Sequence, residues 1–403
     1  MIMVAKVLVL LVEGYLALVS GYLLLLVGAS FLHRRRGPPP APAKGRFAIL
    51  VPAHNEELLL GRLLESLAGL RYPRDLYSVH VVADNCDDAT ADVARRYGVA
   101  VYERQEASLR GKGHALRWLL DRLSLETYDA AVVVDADSVV SENLLEVANA
   151  CLAEGHRAIQ VYDGVLNPEE SWVTELRALA FGLHNMVRPL GRATLGASAS
   201  LMGNGMVLSA ELLREAKWDS FGLAEDVETH LKMVASGQRV HFEPAAAVLS
   251  DMPATLSGSS GQNLRWESGR LQLVRRYANR LLTAGLRQRN WTKLNAGLEL
   301  LIPPQSIQAL GAAGSLAASI LLSSLLLAGL GAGILLAQAT YVFGGAIRLG
   351  IPLVPFRALL FAPAYVLWKG WLYLRMIGGG SGEEWLRTPR EALGRSVGRP
   401  RTG

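Results

Sequence analysis

The feature that most constrains this chain is an uncharged run of 48 residues, from Leu300 to Ile347. A membrane-spanning helix needs about 20 apolar residues, so this run is too long for one helix and suits two. We therefore predict transmembrane helices near residues 306–328 and 331–347, with the turn at Gly329–Gly333. The composition agrees, because 51% of the residues are hydrophobic and only 19% are charged. These proportions exclude a disordered chain and do not suit a simple soluble enzyme.

A second apolar segment, Gly14 to Leu32, has 19 residues without an acidic or basic side chain. Its length matches the hydrocarbon core of a bilayer. The basic cluster at residues 33–36 follows it, and basic residues mark the cytoplasmic side of a membrane. We therefore predict that residues 1–36 form a retained anchor whose N-terminus lies outside the cell. The alternative is a cleaved signal peptide that uses residues 41–43 as its cleavage site.

Three further segments are predicted to lie at or near the cytoplasmic membrane surface. Residues 264–290 hold seven arginines and apolar residues at helical spacing, which indicates an amphipathic helix in the headgroup layer. An ordinary surface helix is the alternative. Residues 353–377 are apolar but interrupted by prolines and basic residues, so we predict an interfacial or re-entrant helix, with a third C-terminal span as the alternative. The arginine-rich tail, 378–403, is predicted to be cytoplasmic.

Strands and helices alternate in the region between the membrane segments. A proline-rich linker at 37–45 precedes this region. Short apolar runs predict strands at 47–52, 79–83, 99–103 and 130–134. The segments between them have helical spacing, and this alternation is typical of a doubly wound, mostly parallel sheet. We therefore predict an α/β domain over residues 46–263 in the cytoplasm.

Polar and acidic residues follow three of the predicted strands, at Glu56, Asp84 and Asp135. Ligands bind beyond the carboxyl ends of parallel strands, so these residues are expected to share one site. Asp135 and Asp137 are separated by one residue after an apolar strand, an arrangement that can hold a hard divalent cation such as Mg²⁺ or Mn²⁺. Most pairs with this spacing are merely solvated, but a second acidic strand end strengthens the case here.

Two other motifs suggest diphosphate binding and proton transfer. Lys112 lies between two glycines just before a predicted helix, where backbone N–H groups and the helix dipole favour an anion. Glu225-Asp226 opens another predicted helix, and such acids commonly act only as caps. Beside a bound diphosphate, Asp226 could instead accept a proton from an acceptor hydroxyl as general base.

The segment Gln262-Asn263-Leu264-Arg265-Trp266 opens the predicted amphipathic helix. Trp266 can stack on a sugar face while Arg265 and Gln262 contact phosphate or sugar hydroxyls. A membrane anchor is the simpler alternative for this tryptophan. The two cysteines, Cys86 and Cys151, have no partner at zinc-ligand spacing and are expected to be inert in a reducing compartment.

Seven motifs occur in the order found in membrane-embedded family-2 glycosyltransferases, which the chain resembles over about residues 46–290. They are VPAHNEE (51–57), Asp84, GKG (111–113), DAD (135–137), GNG (203–205), Glu225-Asp226 and QNLRW (262–266). The tail pattern Trp385-Leu386-Arg387-Thr388 also fits. This family includes cellulose, chitin and hyaluronan synthases and ceramide glucosyltransferases. The resemblance implies a GT-A fold and inverting sugar transfer from a UDP-sugar, assisted by Mg²⁺ or Mn²⁺.

The resemblance also implies roles for the motif residues. Glu56 and Asp84 would hold the nucleoside, Lys112 the diphosphate, and Asp137 with Asp135 the metal. Asp226 would be the base, and Gln262, Arg265 and Trp266 would close over donor and acceptor. The turn with Gly203 and Asn204, together with Glu225, would line the acceptor site. Processive synthases usually carry a cysteine near that turn, and this chain has none there.

Four functions are compatible with these features. The first is a synthase that extends a polysaccharide at the cytoplasmic membrane face, and the second transfers one sugar to a membrane lipid. A catalytically silent polysaccharide-binding subunit is disfavoured by the intact acidic residues. A nucleotidyltransferase is disfavoured by Gln262, Arg265, Trp266 and the membrane segments. The net charge of +5 accompanies apolar runs, so membrane lipids rather than nucleic acid are the expected partners.

Overall fold

A computed structural model describes residues 1–33, 37, 39, 41–351 and 356–377. Its centre is an eight-stranded mixed sheet in the order β3-β2-β1-β4-β7-β6-β8-β5. The strands are β1 (Phe47–Ala53), β2 (Tyr77–Asp84), β3 (Ala100–Arg104), β4 (Ala130–Val133), β5 (Ser138–Val140), β6 (Ala158–Val165), β7 (Met206–Ser209) and β8 (His241–Ser250). The first four strands are mutually parallel, and β7 runs against both β4 and β6. The predicted α/β fold is therefore confirmed.

Helices cover both faces of the sheet and form the membrane-side bundle. Those before β7 are α1 (Ile2–Leu32), α2 (Leu60–Ala68), α3 (Thr90–Arg96), α4 (Lys112–Leu120), α5 (Leu144–Ala153), α6 (Trp172–Gly182) and α7 (Arg188–Thr194). The later helices are α8 (Ala210–Ala216), α9 (Glu225–Ala235), α10 (Leu256–Leu273), α11 (Asn279–Arg287), α12 (Trp291–Leu301), α13 (Gln305–Leu321), α14 (Leu325–Leu349), α15 (Phe356–Leu359) and α16 (Ala362–Ile377). Single π-helical turns, Leu183–Val187 and Val274–Ala278, connect α6 to α7 and α10 to α11.

The central strands are apolar along their whole length because both faces of the sheet are covered. Alternate residues of β1 pack into two separate cores: Phe47 and Ile49 contact α2 and α5, whereas Ala48 and Leu50 contact α4. All four side chains are at most 1% exposed. Two-sided burial explains why the parallel strands appear in the sequence as continuous apolar runs.

Within the described part of the chain, two helices are long and apolar enough to cross a membrane, α1 with 31 residues and α14 with 25. The predicted turn at Gly329–Gly333 is wrong, because these residues lie inside α14. The chain instead turns at Leu322–Ser324, where Ser323 adopts a left-handed conformation with φ of 48°. The N–H groups of Ser323 and Ser324 bond the carbonyls of Ile320 and Ser319, which caps the end of α13.

The glycines that suggested a turn instead allow close packing. A Cβ at Gly331 would lie 2.9 Å from Oε1 of Glu13 in α1 and 3.2 Å from Leu316 in α13. Small residues are common where membrane helices approach one another closely. Gly331 therefore marks the contact of three helices, which periodicity alone does not distinguish from a turn.

Helix α1 packs against the α/β domain as well as against α13 and α14. Val19, Leu23 and Leu26 of α1 share an apolar cluster with Leu183 and Val187 between α6 and α7. A Cβ at Gly191 would overlap the backbone of Leu26, so these two helices touch directly. The N-terminal segment is thus part of the folded protein in this structure.

The predicted amphipathic segment 264–290 is helical up to Arg287. It comprises the end of α10, a π turn and α11, which follow one another without a break. Leu273, Tyr277 and Leu281 are 6%, 9% and 3% exposed because they pack against α9 and α12. The apolar row therefore contacts neighbouring helices, and the placement of this segment at a membrane surface stays a prediction.

The last described helix, α16, has 16 residues and packs against α10 and α13. Its Lys369 is 7% exposed and lies 3.1 Å from Glu267 of α10, whose carboxylate also accepts a hydrogen bond from Tyr373. These contacts attach α16 to the helix that carries Trp266. Whether 353–377 spans the membrane stays a prediction, and the tail 378–403 with its Trp385–Thr388 motif lies outside the described residues.

Candidate active site

The carboxyl ends of β1, β2 and β4 meet at one edge of the sheet and border a cavity of about 1660 Å³. The parallel pairing of these strands brings residues far apart in the sequence to this edge. All predicted site residues lie in the wall of this cavity: Glu56, Asp84, Lys112, Asp135, Asp137, Gly203, Asn204, Glu225, Asp226, Gln262, Arg265 and Trp266. Motifs that are far apart along the chain therefore line one continuous surface.

Asp84 occupies the end of β2 and is only 5% exposed. Its carboxylate pairs with Arg104 of β3 and accepts a hydrogen bond of 2.9 Å from Asn85. The ring nitrogen Nδ1 of His54 lies 2.7 Å from the Asp84 carbonyl and links the ends of β1 and β2. These contacts position the Asp84 carboxylate at the end of the cavity predicted to hold the nucleoside.

Lys112 is the cation at the centre of the site. Its Nζ donates hydrogen bonds to the Asp135 carboxylate and to the carbonyl oxygen of Gly203. Burial lowers the pKa of Lys112, but the carboxylates of Asp135, Glu225 and Asp226 raise it by more, so the ammonium stays charged. A fixed positive charge here is suited to a diphosphate.

The two glycines beside Lys112 are required for different structural reasons. Gly111 is the N-cap residue just before α4. Its φ of 118° is a conformation that glycine adopts easily because it has no Cβ. A Cβ at Gly113 would overlap the carbonyl oxygen of Ser220, so this glycine permits a close backbone approach within the protein. The second glycine is therefore required by packing, a reason that the sequence motif does not reveal.

Carboxylates are concentrated beside Lys112. Asp135 and Asp137 flank the buried Ala136. Asp163 lies on β6, which is separated from β4 by β7, and it is close enough for the charges of Asp135 and Asp137 to affect its pKa. Burial, and then the charge of Asp135, raises the pKa of Asp163 well above its usual value. Burial also raises the pKa of Asp135. An excess of oxygen ligands over cations in a partly buried site fits Mg²⁺ or Mn²⁺, which prefer such ligands.

Asp163 was not identified from the sequence. The available signal was an acid in the middle of an apolar strand, Val161-Tyr162-Asp163-Gly164. Its carboxylate accepts hydrogen bonds from Asn204 at 3.3 Å and Asn185 at 3.2 Å. These bonds hold Asp163 near the two acids that follow β4.

Asn204 is held by hydrogen bonds within the sheet. It is 3% exposed, and its amide nitrogen lies within hydrogen-bonding distance of Ser138, Asp163 and Ser250. Its amide oxygen accepts the backbone N–H of Asp135 at 3.0 Å. The side chain thus positions Asp135, and its predicted contact with the acceptor stays a prediction.

Glu225 and Asp226 lie at the first turn of α9, where the helix dipole favours negative charge. A Cβ at Gly203 would be 3.2 Å from Oδ2 of Asp226 and 3.5 Å from Nζ of Lys112, which places all three together. Burial, followed by the nearby Asp226, raises the pKa of Glu225 to about 7. Burial also raises the pKa of Asp226, and a carboxylate with this property is suited to accepting a proton.

Gln262, Arg265 and Trp266 lie on α10 across the cavity. Arg177 of α6 donates to the amide oxygen of Gln262, and its guanidinium carbon is 5.7 Å from the centre of the Trp266 ring. Phe181 lies against the same indole, with ring centres 5.8 Å apart. Arg177 and Phe181 orient the Trp266 platform, and neither was identified from the sequence, since an arginine in a helix usually lies at the surface.

Comparison with known proteins agrees with this geometry. Residues 42–269 match the family model "Glycosyltransferase like family 2". The probable glycosyltransferase YdaM of Bacillus subtilis is 24% identical over 241 residues, which cover 58% of this chain and 57% of that protein. The beta-monoglucosyldiacylglycerol synthase of Trichormus variabilis is 27% identical over 265 residues, 64% of this chain and 56% of that protein. The chain therefore matches little more than half the length of these relatives.

A solved structure has the same fold. The mannosyltransferase PcManGT from Pyrobaculum calidifontis, solved with GDP-Man and Mn²⁺, aligns with a TM-score of 0.53 at 20% identity. The alignment covers 84% of this chain and 98% of that one. The family match spans more than half of the sequence, and the fold and the clustered motifs agree with it. The chain belongs to glycosyltransferase family 2.

Proposed function

We propose that this protein transfers a sugar from a UDP-sugar to a hydroxyl group of a membrane lipid. The observation that supports this proposal is the continuity of the cavity. It extends from Glu56 and Asp84 at the sheet edge to Leu335 and Val342 on the membrane-side helix α14. A lipid hydroxyl can thus reach the reacting centre while its acyl chains stay beside apolar helices.

The lining of the membrane end suits acyl chains. Its apolar residues are Leu179 of α6, Leu183 of the π turn after α6, Leu300 of α12, Ile302 just after α12, and Leu335 and Val342 of α14. Burial of apolar surface of this kind stabilises a bound chain by about 25 cal/mol per Å² removed from water. A path for a hydrophilic polymer would instead need continuous hydrogen-bonding partners.

The residues at the reacting centre would act on donor and acceptor in a single displacement. The acceptor hydroxyl attacks the anomeric carbon, the bond to the diphosphate breaks, and UDP leaves. Asp226 accepts the hydroxyl proton, and Lys112 neutralises charge on the leaving diphosphate. Asp137 and Asp135 would hold a divalent cation, which would supply further positive charge at the diphosphate.

The polysaccharide alternative has its own supporting observation. Trp266 offers an aromatic face in the cavity, a surface on which sugar rings stack. This alternative is separated from the lipid proposal by the product that forms. A polymer lengthens with time and stays out of organic solvent, whereas a glycolipid carries one sugar and enters chloroform.

The acceptor test uses purified full-length protein in liposomes containing diacylglycerol, with radiolabelled UDP-sugars as donors. We expect labelled product to enter chloroform with one sugar per lipid. Ala339→Trp, which fills the membrane end of the cavity, should raise the KM for lipid by roughly tenfold or more, a loss of about 1.4 kcal/mol. Ala337→Trp on the same helix is the matched control, because Ala337 does not line the cavity.

Two results would contradict the lipid proposal. The first is labelled product that grows with time and cannot be extracted. The second is equal loss of lipid glycosylation in the two tryptophan variants, since that would show a general effect on the helix bundle. Hydrolysis of the UDP-sugar, measured without acceptor, reports whether the donor site survives in each variant.

We also propose that the catalytic domain and the tail are cytoplasmic, with the N-terminus and the α13–α14 turn outside. In a chain whose native cysteines are replaced by serine, Ser323→Cys should react with an impermeant thiol reagent added to intact cells. Ser257→Cys should react only after permeabilisation, and both serines are exposed, so the pair is matched. Labelling of Ser257→Cys in intact cells would reverse the proposed orientation.

A further inference from the structure

A group of potential metal ligands lies at the opposite edge of the sheet from the cavity. Cys151 of α5 and His241 and Glu243 of β8 each place one ligand atom within 4.8 Å of the others. The active-site edge is reached at Ser250, the last residue of β8, nine residues beyond His241. Because β8 is irregular between Glu243 and Ala247, its two ends pair with Ile159 and Val165 of β6, six residue steps apart. At about 3.3 Å per residue the two ends are roughly 20 Å apart, so this group is separate from the reacting centre.

The end of α5 brings a fourth candidate ligand to the same place. Gly155 adopts φ of 88°, and the N–H of His156 then bonds the carbonyl of Cys151 at 3.1 Å. This capping geometry folds His156 back beside Cys151. The His156 ring stacks on the His241 ring with centres 3.8 Å apart and planes at 11°. Two imidazoles, a thiol and a carboxylate therefore share one small region.

Among the residues that the structure describes, the buried Glu243 carboxylate forms no ion pair with a lysine or arginine. The residue is 5% exposed, and Oε1 accepts the N–H of Ala245 at 2.9 Å. Oε2 lies 3.8 Å from Nε2 of His241, which is too long for a hydrogen bond. Burial of a charged group is costly unless a partner compensates for it. A bound cation would compensate for this carboxylate.

We propose that Cys151, His241 and Glu243 bind a structural zinc ion, with His156 supplying the fourth ligand once its ring turns from the stack on His241. Zinc in structural sites is usually tetrahedral and is bound by Cys, His and carboxylate side chains. The thiol of Cys151 loses its proton to solvent on binding, and the resulting thiolate and the Glu243 carboxylate balance the two positive charges of the ion. The imidazoles bind in their neutral form.

The ligand types distinguish this site from the catalytic one. The acids beside Lys112 offer only oxygen atoms, which suit magnesium or manganese. A thiolate with imidazoles selects softer ions such as zinc. Because the ligands join the end of α5 to the start of β8, we expect the ion to stabilise this edge of the sheet rather than take part in sugar transfer.

Cobalt substitution tests the proposal on the full-length protein. Co²⁺ bound to a thiolate gives a charge-transfer absorption in the near ultraviolet, whereas Co²⁺ bound to carboxylates alone does not. We expect this absorption to saturate at one Co²⁺ per chain and to disappear when Zn²⁺ is added. Zn²⁺ should also raise the thermal unfolding midpoint, since it binds the folded state.

Variants inside and outside the proposed zinc site test whether Cys151 and Glu243 bind the ion. Cys151→Ser should abolish the absorption and the effect of Zn²⁺ on unfolding, and Glu243→Gln should weaken Co²⁺ binding by at least tenfold. Cys86→Ser and Asp137→Asn should leave the absorption intact, because the first removes the other cysteine and the second a catalytic carboxylate. The proposal is overturned if wild-type protein shows no such absorption, or if Cys151→Ser retains it. Where Cys151→Ser does not fold, Glu243→Gln gives the same test.

Discussion

Replacement of Asp226 by Asn is expected to keep UDP binding and to reduce sugar transfer by about 10²–10⁴-fold, the usual effect of losing general-base catalysis. The amide has the shape of the carboxylate but cannot accept the proton of the acceptor hydroxyl. Asp226 lies beside Lys112 and Gly203 at the start of α9. Burial raises its pKa, so the carboxylate has both the position and the proton affinity that this step requires. Initial rates with saturating donor and acceptor measure the loss.

The control for this experiment is Asp219→Asn, which makes the same chemical change outside the cavity. Asp219 pairs with Lys232 at 2.8 Å on an exposed surface, and exposed pairs contribute little to stability. We expect this variant to transfer sugar at the wild-type rate. Turnover by Asp226→Asn within a few fold of wild type would remove Asp226 from the role of base. Loss of UDP binding in that variant would show instead that the site had changed shape.

Replacement of Asp137 by Ala is expected to abolish the metal-dependent part of UDP affinity and nearly all transfer. Asp137 and Asp135 are the proposed oxygen ligands that follow β4, and a divalent cation there would stabilise the developing charge on the diphosphate by several kcal/mol. Lys112 would then be the main remaining cation at the diphosphate. UDP binding should be titrated by calorimetry with Mn²⁺, with Mg²⁺ and with EDTA.

Wild-type protein should bind UDP more weakly in EDTA, while Asp137→Ala should bind it equally weakly in all three solutions. Asp92→Ala is the matched control, because Asp92 lies on the exposed surface of α3, in an ion pair with Arg95. Full transfer by wild-type protein in excess EDTA would contradict the proposed metal requirement. So would a metal-dependent gain in affinity that survives in Asp137→Ala.

The sheet and most of the candidate site could be predicted because their signals are local. A strand buried on both faces must be apolar along its length, so β1, β2 and β4 are evident as short runs between helical segments. The same topology carries the carboxyl ends of these strands to one edge. Acidic residues that follow such strands can therefore be assigned to one site without knowledge of the tertiary structure.

The predicted turn was wrong because one local sequence pattern can occur in two different tertiary arrangements. Gly331 is compatible with a turn or with close helix packing, and the structure shows packing against Glu13 and Leu316. The apolar row that contains Leu273 and Leu281 could face lipid or protein, and it faces α9 and α12. Periodicity identifies an apolar face but not the surface that covers it.

The sequence by itself determined the fold class, the presence of long apolar helices and the family, because each rests on composition, periodicity or motifs within short stretches. Only the tertiary structure decided which distant residues act together. Arg177 reaches Gln262 and Trp266, Asp163 joins Asp135, and Cys151 meets His241. These contacts join residues separated by tens of positions along the chain. Their physical cause is the packing of whole helices and strands, which no local pattern encodes.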